Sequence, residues 1–276
     1  MIQYLKALEH CYKFGKDVGS RAGKVRRAFG YQMRFDLKKG FPAVTTKKLA
    51  WKSVTSELIW FLEGSNDERR LAELLYDDSR GNLVDKKTIW SQNANSDYWK
   101  NKAKFEGDVG RIYGVQWRDF GGVDQIKLLV EGIKKNPYSR RHILTAWNPK
   151  EIEFMSLPPC HAFSQFYVED GKLSCQLYQR SCDMFLGVPF NIASYSLLVH
   201  LIAKECSLKV NEFVHVLGDY HIYHQHFDQI KIQLKRKPKE LPQLNFKSKE
   251  LFSYRVNDFE LLNYDPHPTI KAEMNV

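Results

Sequence analysis

Residues 157–195 read LPPCHAFSQFYVEDGKLSCQLYQRSCDMFLGVPFNIASY, and the fold follows from how this stretch is folded back on itself. Proline cannot donate to a β-ladder, so Pro158 and Pro159 hold Cys160 at a strand mouth, off the regular sheet. Glu169-Asp170-Gly171-Lys172 is a hairpin turn by composition, and it lays Ala162–Val168 against Leu173–Arg180. Cys160 and Arg180 then share one end of one hairpin. A thiol beside a guanidinium is expected to have a lowered pKa and to serve as a nucleophile. Beyond the Arg180-Ser181-x-Asp183 cluster, an asparagine, Asn191, opens an apolar helix over 192–206.

The rest of the chain suits one large domain of α+β class, with a mixed sheet and helices packed around that one long buried helix. Its 276 residues are 43% hydrophobic and 27% charged, without repeats or compositional breaks. No apolar run reaches membrane-spanning length, and the N-terminus is a charged amphipathic helix with Ile2, Leu5, Leu8 and Tyr12 as its stripe, not a signal peptide. Five cysteines without framework spacing point to reduced thiols and a cytoplasmic setting, in a bacterium or a virus-infected cell. The formal charge of +10 suits an anionic partner, either a phosphate-bearing metabolite or nucleic acid. No zinc-finger spacing, RNP motif or basic helix with heptads accompanies it, so nucleic-acid binding is not the main expectation.

Other stretches carry chemistry with an ordinary reading beside it. The loop Arg21–Arg27 gathers cations around Gly23 and either wraps a phosphate or is a solvated basic loop before the alternating strand Phe29, Tyr31, Met33, Phe35. Glu57 shares a helix face with Val54, Phe61 and Leu62, where a carboxylate is either paired or catalytic. Residues 66–108 are polar and form the least core-like region, with Trp90 in its apolar anchor. Arg140 and Arg141 precede a strand over 142–147 and suit a phosphate clamp or plain surface charge. His221, His224 and His226 invite a metal reading, but no cysteine or carboxylate pattern with ligand spacing goes with them, so no metal is expected. Short strands are expected over 213–217, 243–246 and 259–262.

The motifs FPAVTTKK (41–48), ELIWFLEG (57–64), TIW (88–90), YGVQWRDF (113–120), SRRHILTAWNP (139–149), LPPCHAF, CQLYQRSCDMFLGVPFNIASY, LGDYHIY (217–223) and DPHPTIK (265–271) occur in order. Together they resemble the thymidylate synthase family nearly end to end. The resemblance implies transfer of a one-carbon unit from 5,10-methylenetetrahydrofolate to C5 of dUMP in a homodimer joined sheet to sheet. It makes Cys160 the nucleophile at C6, Asn191 the partner of O4 and N3, and Glu57 the group that manages the O4 proton through water. Tyr113 and His161 fill the same wall, and Tyr113 is a candidate to take the C5 proton.

The same resemblance gathers Arg21, Gln179, Arg180 and Ser181 at the nucleotide, with Arg140 and Arg141 supplied by the other subunit. It places His221 and Tyr223 on the ribose hydroxyl and Asp183 on the pterin. Trp90, Leu157, Gly187 and Phe190 line the folate pocket, Val276 closes it, and Lys47 meets the glutamate tail. Four departures stand out: Arg21-Ala-Gly-Lys-Val-Arg26 replaces a hydroxyl-rich phosphate loop, Ser91 replaces an aspartate, Arg111 a proline, and Asn275 a small apolar residue. Ser91, Arg111 and Asn275 are polar enough to place water at the transferred carbon, which would give hydroxymethyl-dUMP instead of dTMP. The retained Trp90 and Val276 favour the methyl product, and the intact Cys160, Arg180 and Asn191 argue against an inactive RNA-binding relative.

Overall fold

The computed structural model describes residues 1–20 and 23–274; Arg21, Asn275 and Val276 lie outside the described residues. In chain order the helices are α1 (Ile2–Phe14), α2 (Trp51–Glu63), α3 (Glu68–Tyr76), α4 (Ser91–Ala94), α5 (Tyr113–Arg118), α6 (Gln125–Lys135), α7 (Gly187–Glu205) and α8 (Phe227–Lys235). The strands are β1 (Lys16–Ser20), β2 (Gly23–Asp36), β3 (Ile143–Thr145), β4 (His161–Glu169), β5 (Lys172–Asp183), β6 (Lys209–Tyr223), β7 (Gln243–Phe246) and β8 (Phe259–Leu262). Six of them form a sheet in the order β1-β2-β6-β5-β4-β3, and β7 pairs with β8. Among the described residues, only the β5–β6 pair is parallel, joined by α7, so the sheet is mixed and the class is α+β.

The β4–β5 hairpin closes where its turn residues predict. Asp170 (φ 48°) and Gly171 (φ 68°) both take positive φ, the backbone of a two-residue hairpin turn. Helix α7 packs on β5 and β6, α1 packs on β2 and β6, and α2 packs against α7. Most side chains of α7 are buried. The helix begins at Gly187, four residues before the asparagine that was expected to open it. Pro189 fits this because the first turn of a helix needs no intrahelical N–H bond. In α1 the buried stripe is Tyr4, Ala7, Leu8 and Cys11, while Ile2 faces solvent.

One line crosses the sheet where the strands exchange faces. On β6 the fully buried side chains are Phe213, His215 and Leu217 before Gly218, with Val214 buried less completely between them, then Tyr220 and Ile222 after it. On β5 they pass from Leu177 and Gln179 to Cys182, and on β2 Gly30 at φ 77° leaves Phe29 exposed while Met33 and Phe35 point inward. On β4 the register shifts between His161 and Phe163. A period-two strand changes faces only through such a bulge or kink. The line passes beside Cys160 and Arg180, which is where side chains must turn out of the sheet to form a site.

Gly218 is required for a close approach on this line. A Cβ there would stand 2.9 Å from Tyr178 Oη and 3.0 Å from the Arg180 carbonyl oxygen. The substitution Gly218→Ala is expected to cost about 1–3 kcal/mol by overpacking. Urea unfolding checks it; an unchanged midpoint contradicts the close-packed line.

Candidate active site

Cys160 is half-buried at the mouth of β4. Its carbonyl accepts from the Arg180 backbone N–H at 2.8 Å, and its own N–H donates to Tyr113 Oη at 2.7 Å. Arg180 donates Nε to the Pro159 carbonyl and Nη2 to the Pro158 carbonyl, each at 2.8 Å, and lies 5.3 Å over the Trp147 ring. The diproline thus receives from a side chain the hydrogen bonds that a ladder cannot supply. The expected lowering of the thiol pKa is corrected. Burial pushes it up and dominates, while Arg180 and the hydroxyls of Tyr113 and Ser181 pull it down and Asp183 pushes it further up.

An aromatic wall runs from Cys160 to a buried acid. Tyr113 stacks on His161 with centroids 3.9 Å apart and meets Trp90 edge-on at 5.9 Å. Trp90 Nε1 donates to Glu57 Oε1 at 2.7 Å. Glu57 is buried, and burial raises its pKa to about 7 against the opposing pull of the Trp90 hydrogen bond. That value suits a group exchanging protons near neutrality. His161 Nδ1 lies 3.0 Å from Tyr195 Oη, and burial, with His215 nearby, depresses its pKa to about 3, so the ring is neutral.

On the other side of Cys160, Gln179 pairs with His161 in the sheet register and donates Nε2 to Asn191 Oδ1 at 3.1 Å. Asn191 is buried in the first turns of α7, and Gly187 lies under its amide. Asp183 Oδ1 accepts the backbone N–H groups of Phe185 and Leu186, capping the turn before that helix. Leu157 and Phe190 are half-buried at the edge of the core. Lys47 is turned inward: Nζ donates to the Phe185 carbonyl at 2.5 Å, and burial lowers its pKa to about 8 although Asp183 raises it.

The histidine run resolves into separate contacts. His221 Nδ1 lies 3.4 Å from the Asp219 carboxylate and its ring meets Tyr223 edge-on, His224 faces Asp17, and His226 Nε2 donates to the Glu273 carbonyl. Among the described residues, no three His, Cys, Asp or Glu side chains gather as a metal site requires. Nor, among them, is any helix long and apolar enough to cross a membrane. Arg140 and Arg141 are exposed just before β3.

With this geometry in place, comparison with known proteins is direct. The family model described as thymidylate synthase matches residues 2–276. A thymidylate synthase from Mycoplasma pneumoniae is 47% identical over 298 aligned positions that cover all of both chains. The chain belongs to the thymidylate synthase family.

The departures from that family's usual pattern have local explanations. Ser91 Oγ donates to Glu68 Oε1 at 2.6 Å and accepts from the Thr88 N–H at 2.8 Å, so its hydroxyl is taken up within the protein. The carboxylate missing at position 91 is matched by the buried Glu68, itself held by Arg69 and Thr88. The Arg111 guanidinium binds Glu151 and Asp119. In the altered phosphate loop, Arg26 pairs with Asp17 and braces β1 against β2, and the neighbouring Arg27 pairs with Asp219 and ties β2 to β6.

Sequence reasoning passed over Tyr195 and His215. Tyr195 follows Asn191 by one helical turn, and His215 sits on the inward alternation with Phe213 and Leu217; both signals were present.

Glu57 gives a pH signature. Its folded pKa lies above its unfolded value, so between about pH 4.5 and 7 the native state holds a proton that the unfolded chain has lost. Stability therefore falls with rising pH across that window, by on the order of 3 kcal/mol. Glu57→Gln is expected to flatten this slope in denaturant titrations at a series of pH values; an unchanged slope contradicts the assignment.

Proposed function

We propose that the protein converts dUMP to dTMP as a thymidylate synthase, with Cys160 as the nucleophile. The observation that carries this assignment of roles is the unbroken run of contacts Glu57–Trp90–Tyr113–Cys160–Arg180, joined through the adjacent Gln179 to Asn191. C5 of uracil is a weak nucleophile. Addition of the Cys160 sulfur at C6 makes it an enolate carbon able to attack an electrophilic one-carbon unit. 5,10-Methylenetetrahydrofolate supplies that unit and the hydride and leaves as dihydrofolate.

The chain's own groups do the rest. Asn191, held by Gln179, pairs with O4 and N3 of the base. Glu57, whose pKa of about 7 leaves both protonation states populated near neutrality, exchanges a proton with O4 through water. Tyr113 Oη accepts the Cys160 N–H, and burial holds its phenol protonated, so it takes up the C5 proton by relay, passing its own proton on to water as the C5 proton arrives. Arg21, Arg180 and Ser181 bind the phosphate, and His221 with Tyr223 binds the ribose hydroxyl. Trp90, Leu157, Gly187 and Phe190 provide the half-apolar wall that a flat pterin requires, Asp183 bonds its polar edge, and Val276 closes over it. Lys47 meets the glutamate tail after leaving its inward position on Phe185.

A second copy completes the site. Helices cover one face of the sheet, while the other carries Phe29, Phe163, Tyr167 and Tyr178 exposed, with Phe163 beside Tyr178 and Tyr178 beside Val216 in register. An apolar face of this kind marks an interface. Arg140 and Arg141, exposed just before the edge strand β3, would reach the phosphate of the other copy. The absence of a spanning helix among the described residues and the reduced thiols suit a cytoplasmic enzyme.

Incubation of dUMP with methylenetetrahydrofolate is expected to give the mass of dTMP and a rise in dihydrofolate absorbance, both abolished in Cys160→Ala. A hydroxymethyl product without dihydrofolate, or turnover by Cys160→Ala, overturns the reading. Arg141→Ala and Cys160→Ala are each expected to be inactive and to regain activity when mixed, because one hybrid site then holds both residues. A mixture that stays inactive argues against a shared site.

A further inference from the structure

His215 sits at a position that the alternation of β6 turns into the core, between Phe213 and Leu217, and it is fully buried. An imidazole there requires a reason. Its Nε2 lies 2.8 Å from Gln179 Oε1. Gln179 donates Nε2 to the Ser181 carbonyl at 3.0 Å and to Asn191 Oδ1 at 3.1 Å, so both its N–H groups are taken and Oε1 can only accept. The proton between the two side chains therefore belongs to His215 Nε2. The other ring nitrogen, Nδ1, has no hydrogen-bond partner among the described residues, as a neutral imidazole with a bare second nitrogen allows. Burial, which pushes the pKa down to about 3, keeps the ring in that neutral form.

The result is a one-way line of donors, His215 to Gln179 to Asn191. It fixes which end of the Asn191 amide faces which way. With Oδ1 receiving the Gln179 N–H, Asn191 presents Nδ2–H as a donor and the second lone pair of Oδ1 as an acceptor. That pattern complements O4 and N3–H of uracil. A flipped amide would set Nδ2 against the Gln179 N–H, donor facing donor, and would offer the complement of cytosine instead. Gln179 can hold its side only while its own amide stays unflipped, and His215 bonds the carbonyl end of that amide.

We infer that His215 is a positioning residue for base selection: acting through Gln179, it sets the orientation of the Asn191 amide and so makes the site take a uracil base over a cytosine base. The inference rests on the reading of Asn191 as the partner of the base.

The test is the ratio of dUMP to dCMP affinity, measured by calorimetry on the intact protein and four variants. His215→Phe removes the donor and keeps a ring; the ratio is expected to fall at least about tenfold, the worth of one oriented hydrogen bond. His215→Gln restores an N–H near the Nε2 position and is expected to hold the ratio close to that of the unaltered protein. Gln179→Glu replaces the donor facing Asn191 with an acceptor, so the Asn191 amide should flip and the ratio should fall further. General loosening of the core weakens both nucleotides and leaves the ratio alone. Asn191→Asp serves as the control for the underlying reading. If it shifts preference toward dCMP while His215→Phe does not, the role of His215 is refuted and that of Asn191 stands. If Asn191→Asp leaves the ratio unchanged, the Asn191 reading itself falls, and the inference with it. If His215→Phe does not fold, Gln179→Glu decides, and an unchanged ratio there overturns the proposal.

Discussion

The Arg180 guanidinium, bonded to the carbonyls of Pro158 and Pro159, is the interaction on which the site depends. Two prolines in succession remove the donors that would continue β4, so the backbone before Cys160 has no ladder to hold it. Arg180 supplies side-chain donors in place of that ladder, and its own N–H takes the Cys160 carbonyl. The cation that fixes the cysteine is also the largest influence favouring its thiolate. The arrangement has a second consequence. With Nε and Nη2 committed to carbonyls, Arg180 has little left for a doubly charged phosphate, a need that the proposed second copy would meet with its Arg140 and Arg141. The bare apolar face of the sheet supports the same arrangement.

Burial is the second organising influence, and it acts with opposite sign on different groups. It raises Glu57 to about 7 and raises the Cys160 thiol, while it depresses His161 and His215 to about 3. One physical cause thus lets an acid hold or release its proton near neutrality and keeps two imidazoles uncharged. Neutral imidazoles are directional: each has one donor nitrogen and one acceptor nitrogen, and a fixed line of hydrogen bonds follows from that. In the sheet, His161 and the His215-bonded Gln179 face each other in register beside Cys160, while Glu57 reaches the same region from α2 through Trp90 and Tyr113.

Much of this was legible in the sequence because the signals were local. Asp170-Gly171 specified the hairpin, the bounds of β7 and β8 matched their expected ranges, and Glu57 on an apolar helix face proved to be buried beside Trp90. The misreadings share a cause, which is that the deciding partner is distant along the chain. The Cys160 pKa depends on how deeply other elements cover it. Strand β6 runs from Lys209 to Tyr223 although Gly218 looked like its end, because that glycine admits the Arg180 backbone rather than breaking the strand. The polar stretch 66–108 holds Trp90, Trp99 and Asp108 in buried positions, which only its folded-back course makes possible. His215 finds its partner on another strand, so alternation placed it inside but gave no hint of what it bonds.

The central claim is that the Cys160 sulfur adds to the pyrimidine ring. A 5-fluorinated dUMP lacks the C5 proton that must leave for the sulfur to be released, so with methylenetetrahydrofolate it should trap the addition complex. Peptide mass spectrometry after that incubation is expected to find nucleotide and folate together on the peptide carrying Cys160. An unmodified Cys160 peptide, or the adduct on Cys11, Cys175, Cys182 or Cys206, would contradict the account.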